Sequence, residues 1–379
     1  MAKQWCFSPL DTWFFKEARP FDSVGATQLG TILLPPPART VTGAIRTLIG
    51  ENQAVNWKEF NTNHKLAEEI GYSDCLGKLR LTGPYLLLNG KRLYPVPLTI
   101  LEGKIKSQFK SKKTGKRKEK QAFDRLHPGQ PVKCDLGTVR LPTKVHQLKG
   151  AKPIESAWLT VSDFEHVLTG KAFPEKIIYN KELFTIENRV GLALDRNTRI
   201  TKAHQLYQNQ HIRIHSDNKL QIGMQVDGIK EKLHPTNKNL IHFGGEGRLA
   251  EVSISKVNHQ ITSPVVKSDK HIFLTLLTAA NLENRCLPNE SFKKENEPGE
   301  IKGVTLKIVS AVLGKSIREG GWDLVKGQSR PVVSLIPAGS VWFCEVIKGD
   351  PTKLQGCKIG IETALGRGEL AVGKWENNL

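Results

Sequence analysis

Short apolar runs alternate with turns rich in glycine and proline between residues 320 and 375. Two of these runs, at 331–336 and 341–347, flank the turn Pro-Ala-Gly-Ser at 337–340. β-Type runs on either side of such a turn predict a pair of adjacent strands. The stretch continues into a glycine-rich segment at 360–368, for which we expect a loop.

This final loop has the composition of a phosphate-binding segment. Gly360, Gly366 and Gly368 leave the backbone bare, so that its N–H groups can approach a ligand, and Arg367 adds positive charge. A simple turn near the chain end is the alternative. The sequence GELAVGKW at 368–375 resembles the phosphate loop of nucleotide hydrolases, but Trp375 stands where a magnesium-binding hydroxyl belongs. We therefore exclude ATP or GTP hydrolysis.

The charge of the chain indicates a polyanionic partner. Its 56 basic and 37 acidic residues give a net charge of +19. No apolar run approaches the roughly 20 residues that span a bilayer, which favours nucleic acid over a membrane. Six scattered cysteines without a CxxC pair predict reduced thiols in the cytoplasm and no metal site. We expect no cofactor.

The lysine-rich segment at 104–120 carries nine basic residues and one acidic residue. Because like charges at this density repel one another, we expect a mobile loop. Such a loop can hold a nucleic-acid backbone without sequence preference.

Three further segments carry candidate contacts. After three prolines, Thr40 is predicted to cap a helix with Val41, Ala44, Ile45 and Leu48 on one face and Gly50 at its end. A basic hairpin is expected at about 189–202, and a glycine turn at 244–248. A second helix is predicted at 304–312. The order strand, helix, strand and glycine loop thus occurs in both halves of the chain.

Several of these segments together resemble one CRISPR-associated family. They are WCFSPLDTWFF at 5–15, RPF at 19–21, PPP at 35–37, Thr40, GAIR at 43–46, GGEGR at 244–248, GGWD at 320–323, PAGSV at 337–341 and the final glycine loop. Their order is similar to that in third subunits of the type III-B Cmr effector complex, a family of the RAMP superfamily. The stretch at 52–154 matches least.

The resemblance implies an α+β fold of two ferredoxin-like (RRM-type) units with a projecting β-hairpin and glycine-rich loops. We expect the first unit at 1–200, including the basic insertion and the hairpin, and the second at 201–379. It also implies a non-catalytic subunit that binds the 5′ handle of the CRISPR RNA. Its partners would be the large Cas ten-type subunit and the backbone subunit, with target RNA contacted indirectly.

Handle recognition requires contacts to phosphates and to splayed bases. The candidate RNA-binding residues are Arg19, Arg39, Thr40, Gly43, Arg46, Arg189, Arg196, Arg199, Lys202, Gly244, Gly245, Arg248, Gly360, Gly366, Arg367 and Gly368. Trp13 and Trp322 are either base-stacking residues or, as we favour, core or interface residues.

Three alternatives remain at this point. A metal-independent RAMP endoribonuclease would use histidine as its acid or base, and His204, His211 and His242 are the best placed. The equivalent subunit of another type III complex would share the glycine loop. A generic single-strand-binding protein explains the charge but not the ordered motifs.

Overall fold

The computed structural model describes residues 2–18, 32–110, 117–134, 137–146, 148–195, 197–198, 200–257, 261–289, 291–292, 297–323 and 325–376. Strands predominate in these ranges, and the α-helices are α1 (Ala38–Asn52), α2 (Ala67–Ile70), α3 (Val161–Leu168) and α4 (Asn180–Leu183). None of the helices in this part of the chain is long and apolar enough to cross a bilayer.

The first strands in chain order are β1 (Lys3–Pro9), β2 (Thr12–Trp13), β3 (Arg80–Leu88), β4 (Lys91–Arg92), β5 (Tyr94–Pro95), β6 (Ile100–Lys110), β7 (Arg117–Cys134), β8 (Gly137–Lys144), β9 (Lys149–Pro153), β10 (Ala157–Leu159), β11 (Ile178–Tyr179), β12 (Phe184–Leu194) and β13 (Thr201–Ile214). The remaining strands are β14 (Leu220–Asp227), β15 (Asn239–His242), β16 (Leu249–Lys256), β17 (His271–Leu276), β18 (Pro298–Ile301), β19 (Val304–Val312), β20 (Ile317–Glu319), β21 (Trp322–Asp323), β22 (Gln328–Ser329), β23 (Val333–Leu335), β24 (Val341–Lys348) and β25 (Leu370–Lys374).

A six-stranded antiparallel sheet in the order β15-β16-β1-β14-β3-β4 forms the first half of the molecule. Trp5 at its centre lies opposite Met224 on one side and Ile254 on the other. The sheet therefore joins strands from both sides of residue 200, where the sequence predicted a boundary. Asn89 and Gly90 form the β3–β4 turn with positive φ angles of 52° and 76°, as the Asn-Gly pair requires.

Helix α1 covers this sheet with the apolar face that its sequence predicts. Val41, Ala44, Ile45 and Leu48 are all buried. The predicted start at Thr40 is wrong, because the helix begins at Ala38 and Pro37 is its N-cap. Pro37 ends the proline run with a carbonyl that accepts the Thr40 N–H, so that Thr40 lies inside the first turn. The helix also continues past Gly50 to Asn52.

A five-stranded sheet in the order β18-β19-β24-β17-β25 forms the second half. The helix predicted at 304–312 is wrong, because this segment is strand β19. Val304, Leu306 and Ile308 are buried while Thr305 and Lys307 are half-buried. This period of two, with β-branched residues, suits a strand in a sheet.

The predicted pairing of 331–336 with 341–347 is also wrong. Strand β23 pairs with β20, whereas β24 lies between β17 and β19. Ile336 exchanges backbone hydrogen bonds with Ala280 (both 2.9 Å), and the turn that follows redirects the chain into the other sheet.

The two large sheets share one strand order. In the first sheet, the first, second, third and fourth of these strands along the chain are β1, β3, β14 and β16. Across the sheet they lie side by side as β16, β1, β14 and β3, that is, in the order fourth, first, third, second. In the second sheet β17, β19, β24 and β25 lie in the same order. This shared strand order agrees with the repeat predicted from the sequence, whereas no helix lies between β17 and β19 among the residues described there.

Two long hairpins lie outside the two large sheets. The predicted hairpin at 189–202 is confirmed as β12 and β13, which pair from Phe184 opposite Ile214 to Leu194 opposite Thr201. The mobile loop predicted at 104–120 is wrong for the residues that the structure describes. Residues 104–110 and 117–120 are paired strands. They belong to a sheet in the order β8-β7-β6-β9, in which backbone hydrogen bonds hold the lysine-rich segments extended.

Candidate nucleic-acid interface

Helix α1 and the C-terminal glycine loop meet at a polar cleft of about 350 Å³. We define this polar cleft by its charged lining: Arg39, Asp74, Glu319, Asp323, Lys326, Arg330 and Glu362. The Arg39 guanidinium donates one hydrogen bond from Nη1 to Asp74 (3.2 Å) and another from Nη2 to Glu362. The first turn of α1 is thereby tied to a residue 35 positions further along the chain and to the C-terminal glycine loop.

Arg330 extends this set of ion pairs on the opposite wall of the polar cleft. It contacts Asp323 (2.9 Å) and also Asp74, which it shares with Arg39. Partial burial raises the pKa of Asp74, but the hydrogen bond and charge of Arg330 outweigh it and hold that pKa below its ordinary value. Asp74 is therefore a charged bridge between two arginines.

Arg367 lies behind the polar cleft in the interior. Only 2% of its side chain is exposed, and it donates to Glu362 and to the buried Glu319. Burial raises the pKa of Glu319 despite the opposing charge of Arg367. Arg367 Nε has no hydrogen-bond partner among the described atoms. Arg39 and Arg367 thus converge on one carboxylate, that of Glu362.

The glycines of the C-terminal loop are required by packing against the protein itself. A Cβ atom on Gly360 would lie 2.3 Å from the Asn281 carbonyl, and one on Gly366 would lie 2.4 Å from that of Gly83. A Cβ on Gly368 would approach the Ile359 carbonyl at 2.0 Å. All three glycines have positive φ angles. Their backbone freedom serves the fold of the loop.

Gly43 on α1 is different, because it is exposed and no atom lies within 4 Å of the place a Cβ would take. It lies one turn after Arg39 and just before Arg46, on the same helix face. Arg46 donates to the Ser73 carbonyl (3.0 Å), and burial lowers its pKa. Gly43 therefore marks an open approach to the helix backbone between two arginines.

A second set of candidates gathers around Asp11, which follows β1. Its carboxylate contacts Arg213 (3.0 Å), Arg248 (3.2 Å) and Arg189 (3.6 Å). Glu187 also receives hydrogen bonds from Arg213 and Arg189. This Asp11 cluster joins the base of the β12–β13 hairpin to the glycine turn before β16.

That glycine turn packs closely under the opening segment. A Cβ on Gly244 would lie 2.7 Å from the Phe14 carbonyl, and one on Gly245 would lie 2.7 Å from the Phe14 ring. The Phe14 ring in turn lies 5.1 Å from that of His211. The turn thus positions Arg248 at Asp11.

The remaining candidates are placed only in part. Arg19, Arg196 and Arg199 lie outside the described residues, and Lys202 is described only as backbone in β13. Trp13 is fully buried, as a core residue is, whereas 61% of Trp322 is exposed at the edge of the polar cleft region. Sequence reasoning missed Asp74, Arg330 and Arg213, because their partners are distant in the chain and no motif surrounds them.

The structure describes the side chains of two of the three histidines of the nuclease alternative. His211 is buried against the Thr12 hydroxyl (3.0 Å), and burial lowers its pKa. His242 lies on the exposed side of β15, and the side chain of His204 is not described. Among the described residues, no three histidines, cysteines or carboxylates are grouped as metal ligands would be.

The chain is thus a mostly β protein whose polar cleft places two guanidinium groups, those of Arg39 and Arg330, among four carboxylates. The chain belongs to the family described as CRISPR-associated protein (Cas_Cmr3), whose model matches residues 5–375. A curated relative, "CRISPR system CMR subunit Cmr3" of Saccharolobus solfataricus, is 31% identical over 83 residues. That match spans 21% of this chain and 26% of the relative.

Two solved structures that match the backbone of this chain come from type III complexes. A chain of the type III-B Cmr-beta complex bound to cognate target RNA is 14% identical, with a TM-score of 0.48 over 90% of this chain and 86% of that one. A chain of the Csm3-Csm4 subcomplex of type III-A is 10% identical, with a TM-score of 0.40 over 92% and 94%.

Proposed function

We propose that this protein is a non-catalytic, CRISPR RNA-binding subunit of a type III-B Cmr effector complex. It holds the 5′ handle of the guide RNA and bridges the large Cas ten-type subunit to the backbone subunits, contacting target RNA indirectly. Family membership over 5–375 supports the complex, and the polar cleft supports the RNA contact.

The observation that carries the RNA contact is the meeting of Arg39, Arg330 and Glu362 at the polar cleft. Asp74, which pairs with both arginines, is 52% exposed, and ion pairs with an exposed member contribute little net stability, about 0–1 kcal/mol. A phosphate can therefore replace a carboxylate at modest cost and gain a two-pronged contact with a guanidinium. Glu362 and Asp74 hold the places that phosphates would take.

Gly43 supports the same location. An exposed glycine inside a helix costs roughly 0.5–1 kcal/mol relative to alanine, and here no protein atom needs the space. A sugar-phosphate backbone running from Arg39 to Arg46 would use that space. Thr40, in the first turn, lies beside this path.

The Asp11 cluster supports the role of the hairpin. Arg189 and Arg248 anchor its base, and Arg196, Arg199 and Lys202 follow Arg189 in the sequence of the hairpin. We assign those three residues, with Arg19, to the guide RNA or to the neighbouring backbone subunit. Gly244 and Gly245 position the anchor, and Gly360, Gly366, Arg367 and Gly368 shape the wall behind the polar cleft.

We also propose that the two large sheets are the two ferredoxin-like units. Their shared strand order supports this, with β1, α1 and β3 as the opening of the first. In that unit, the single turn at Glu231–Leu233 stands where a second helix would be. The division between the units then falls between β16 and β17.

A binding assay with matched variants tests the proposal. Fluorescently labelled RNA carrying the repeat-derived 5′ handle is compared with a scrambled RNA of equal length. The wild-type protein should prefer the handle RNA and leave it intact, and Arg39→Gln and Arg46→Gln should each remove most of that preference. Arg285→Gln, at an exposed arginine elsewhere, should not. Equal affinity for both RNAs, or cleavage of either, would overturn the proposal.

A further inference from the structure

Residues 100–153, which include the strands β6, β7, β8 and β9, carry most of the excess charge of the protein. Residues 100–153 contain 15 lysines and arginines and four acidic residues, a net charge of +11 out of the total of +19. The polar cleft and the Asp11 cluster, by contrast, mix arginines with carboxylates. We call β6–β9 the basic sheet.

Six lysines of the basic sheet are exposed among the side chains that the structure describes, and two of its acids accept hydrogen bonds from the protein. The exposed lysines are Lys104, Lys120, Lys133, Lys144, Lys149 and Lys152. Asp124 is buried and accepts hydrogen bonds from the N–H groups of Arg125 (2.8 Å) and His146 (2.9 Å). Glu102 accepts from Gln121 (2.7 Å) and from the Tyr179 hydroxyl (2.6 Å). The outer surface is therefore strongly cationic.

Basic residues occupy facing positions in the backbone register of this sheet. Lys104 on β6 is opposite Lys149 on β9, and Lys110 is opposite Arg117 on β7. A nucleic acid that binds along such rows of basic residues releases its condensed counterions, so the arrangement favours such a partner.

Charge and apolar exposure together distinguish nucleic acid from a protein partner. Four apolar side chains are exposed on or beside this sheet, and each adjoins a lysine or arginine in the sequence: Ile105, Val132, Leu141 and Val145. The cores of protein–protein interfaces are depleted of lysine, so these residues do not form such a core. Among the described side chains, Phe123 packs against Phe173, with ring centroids 6.3 Å apart, instead of standing free to stack on bases.

We infer that the basic sheet is a second nucleic-acid contact surface, separate from the polar cleft. It holds an RNA strand by its phosphates, without base preference, and so extends the protein's grip to RNA outside the handle. The inference does not depend on handle recognition, since the lysines act on any phosphate backbone.

The test compares two quadruple variants of the full chain. The sheet variant carries Lys→Gln at Lys120, Lys133, Lys144 and Lys152. The control variant carries the same change at four exposed lysines outside this sheet: Lys267, Lys270, Lys348 and Lys353. A labelled 30-nucleotide RNA without handle sequence is titrated by fluorescence anisotropy from 50 to 300 mM salt, and circular dichroism checks that both variants are folded.

We expect the sheet variant to bind this RNA at least tenfold more weakly at 100 mM salt than the control variant. The slope of log affinity against log salt should decrease by about 3, since each phosphate contact on a single strand contributes about 0.7. Its preference for handle over scrambled RNA should persist, which separates this result from a failure of the proposed function. Equal affinities and slopes in the two variants would overturn the inference. So would unchanged RNA binding combined with lost binding to another subunit, which would identify a protein surface.

Discussion

Arg92 and Glu369 form a two-pronged ion pair in the interior, with Nη1–Oε1 and Nη2–Oε2 distances of 3.1 and 2.6 Å. Arg92 belongs to β4 of the six-stranded sheet, and Glu369 immediately precedes β25 of the five-stranded sheet. The guanidinium also lies 4.2 Å from the centroid of the Tyr85 ring. Burial by itself lowers the pKa of Arg92, but the charge and hydrogen bonds of Glu369 have the larger effect. The pKa of Arg92 therefore lies above its ordinary value. The pair therefore fastens the two halves of the molecule to each other.

Removing one member of this pair should destabilise the protein strongly. Glu369→Gln leaves a buried guanidinium without its counter-charge, which typically costs about 3–5 kcal/mol of unfolding free energy. The double variant Arg92→Met with Glu369→Leu should cost much less, because no charge then remains buried. Denaturant unfolding measures both. A single variant that loses less than about 1 kcal/mol would show that the pair does not join the halves.

At Gly43, stability and binding should respond in opposite directions. Gly43→Ala should raise the unfolding free energy by about 0.5–1 kcal/mol, because the position is helical and the space beside it is open. Gly43→Leu should fold equally well but bind handle RNA more weakly, since its side chain fills the path between Arg39 and Arg46. Thermal unfolding measures the stability of each variant, and fluorescence anisotropy measures its affinity for handle RNA. Undiminished RNA binding by the leucine variant would place the RNA elsewhere.

The neutral variant Glu362→Gln should increase RNA affinity severalfold. It removes the carboxylate shared by Arg39 and Arg367, so that Arg39 becomes available to phosphate. The same change should lower stability, because the buried Arg367 loses one charged partner. Glu175→Gln, at an exposed acid elsewhere, controls for the change in net charge. Affinity no higher than that of this control would contradict the view that Glu362 occupies a phosphate position.

The base of the hairpin should weaken in acid. Hydrogen bonds from Arg213 and then Arg189 lower the pKa of Glu187 to about 2, from an ordinary value of 4.5. Because the folded pKa lies below the unfolded one, this contribution is complete above about pH 4.5 and is lost as the pH falls toward 2. The difference in denaturant midpoint between wild type and Glu187→Gln should thus be constant at neutral pH and shrink across that window. A difference that does not change with pH would argue against the ion pair.

The sequence predicted local structure well wherever a short signal decides it. The apolar face of α1, the β12–β13 hairpin and the glycine turn before β16 all follow from spacing or turn chemistry. The start of α1 was misplaced because Pro37 supplies the first carbonyl acceptor without a side-chain cap. The helix predicted at 304–312 was wrong because the apolar residues Val304, Leu306 and Ile308 alternate with polar ones. This period of two suits a strand better than a helix.

Long-range pairing could not be predicted in the same way. Nothing near Arg330 indicates Asp74, and nothing near Arg367 indicates Glu319, because those contacts arise only when the two sheets pack together. Charge repulsion alone likewise suggested a loop at 104–120. The strand pairing of β6 with β7 and β9 provides backbone hydrogen bonds that outweigh that repulsion.

The central claim is that the protein holds the constant 5′ handle of guide RNA within a type III-B complex. Its most direct test is to tag the protein in its native host, purify it at moderate salt and sequence the 5′ ends of the RNA retained. We predict one shared 5′ end on RNAs that contain different spacers, together with co-purification of the large subunit. Random 5′ ends, or no retained RNA, would contradict the claim.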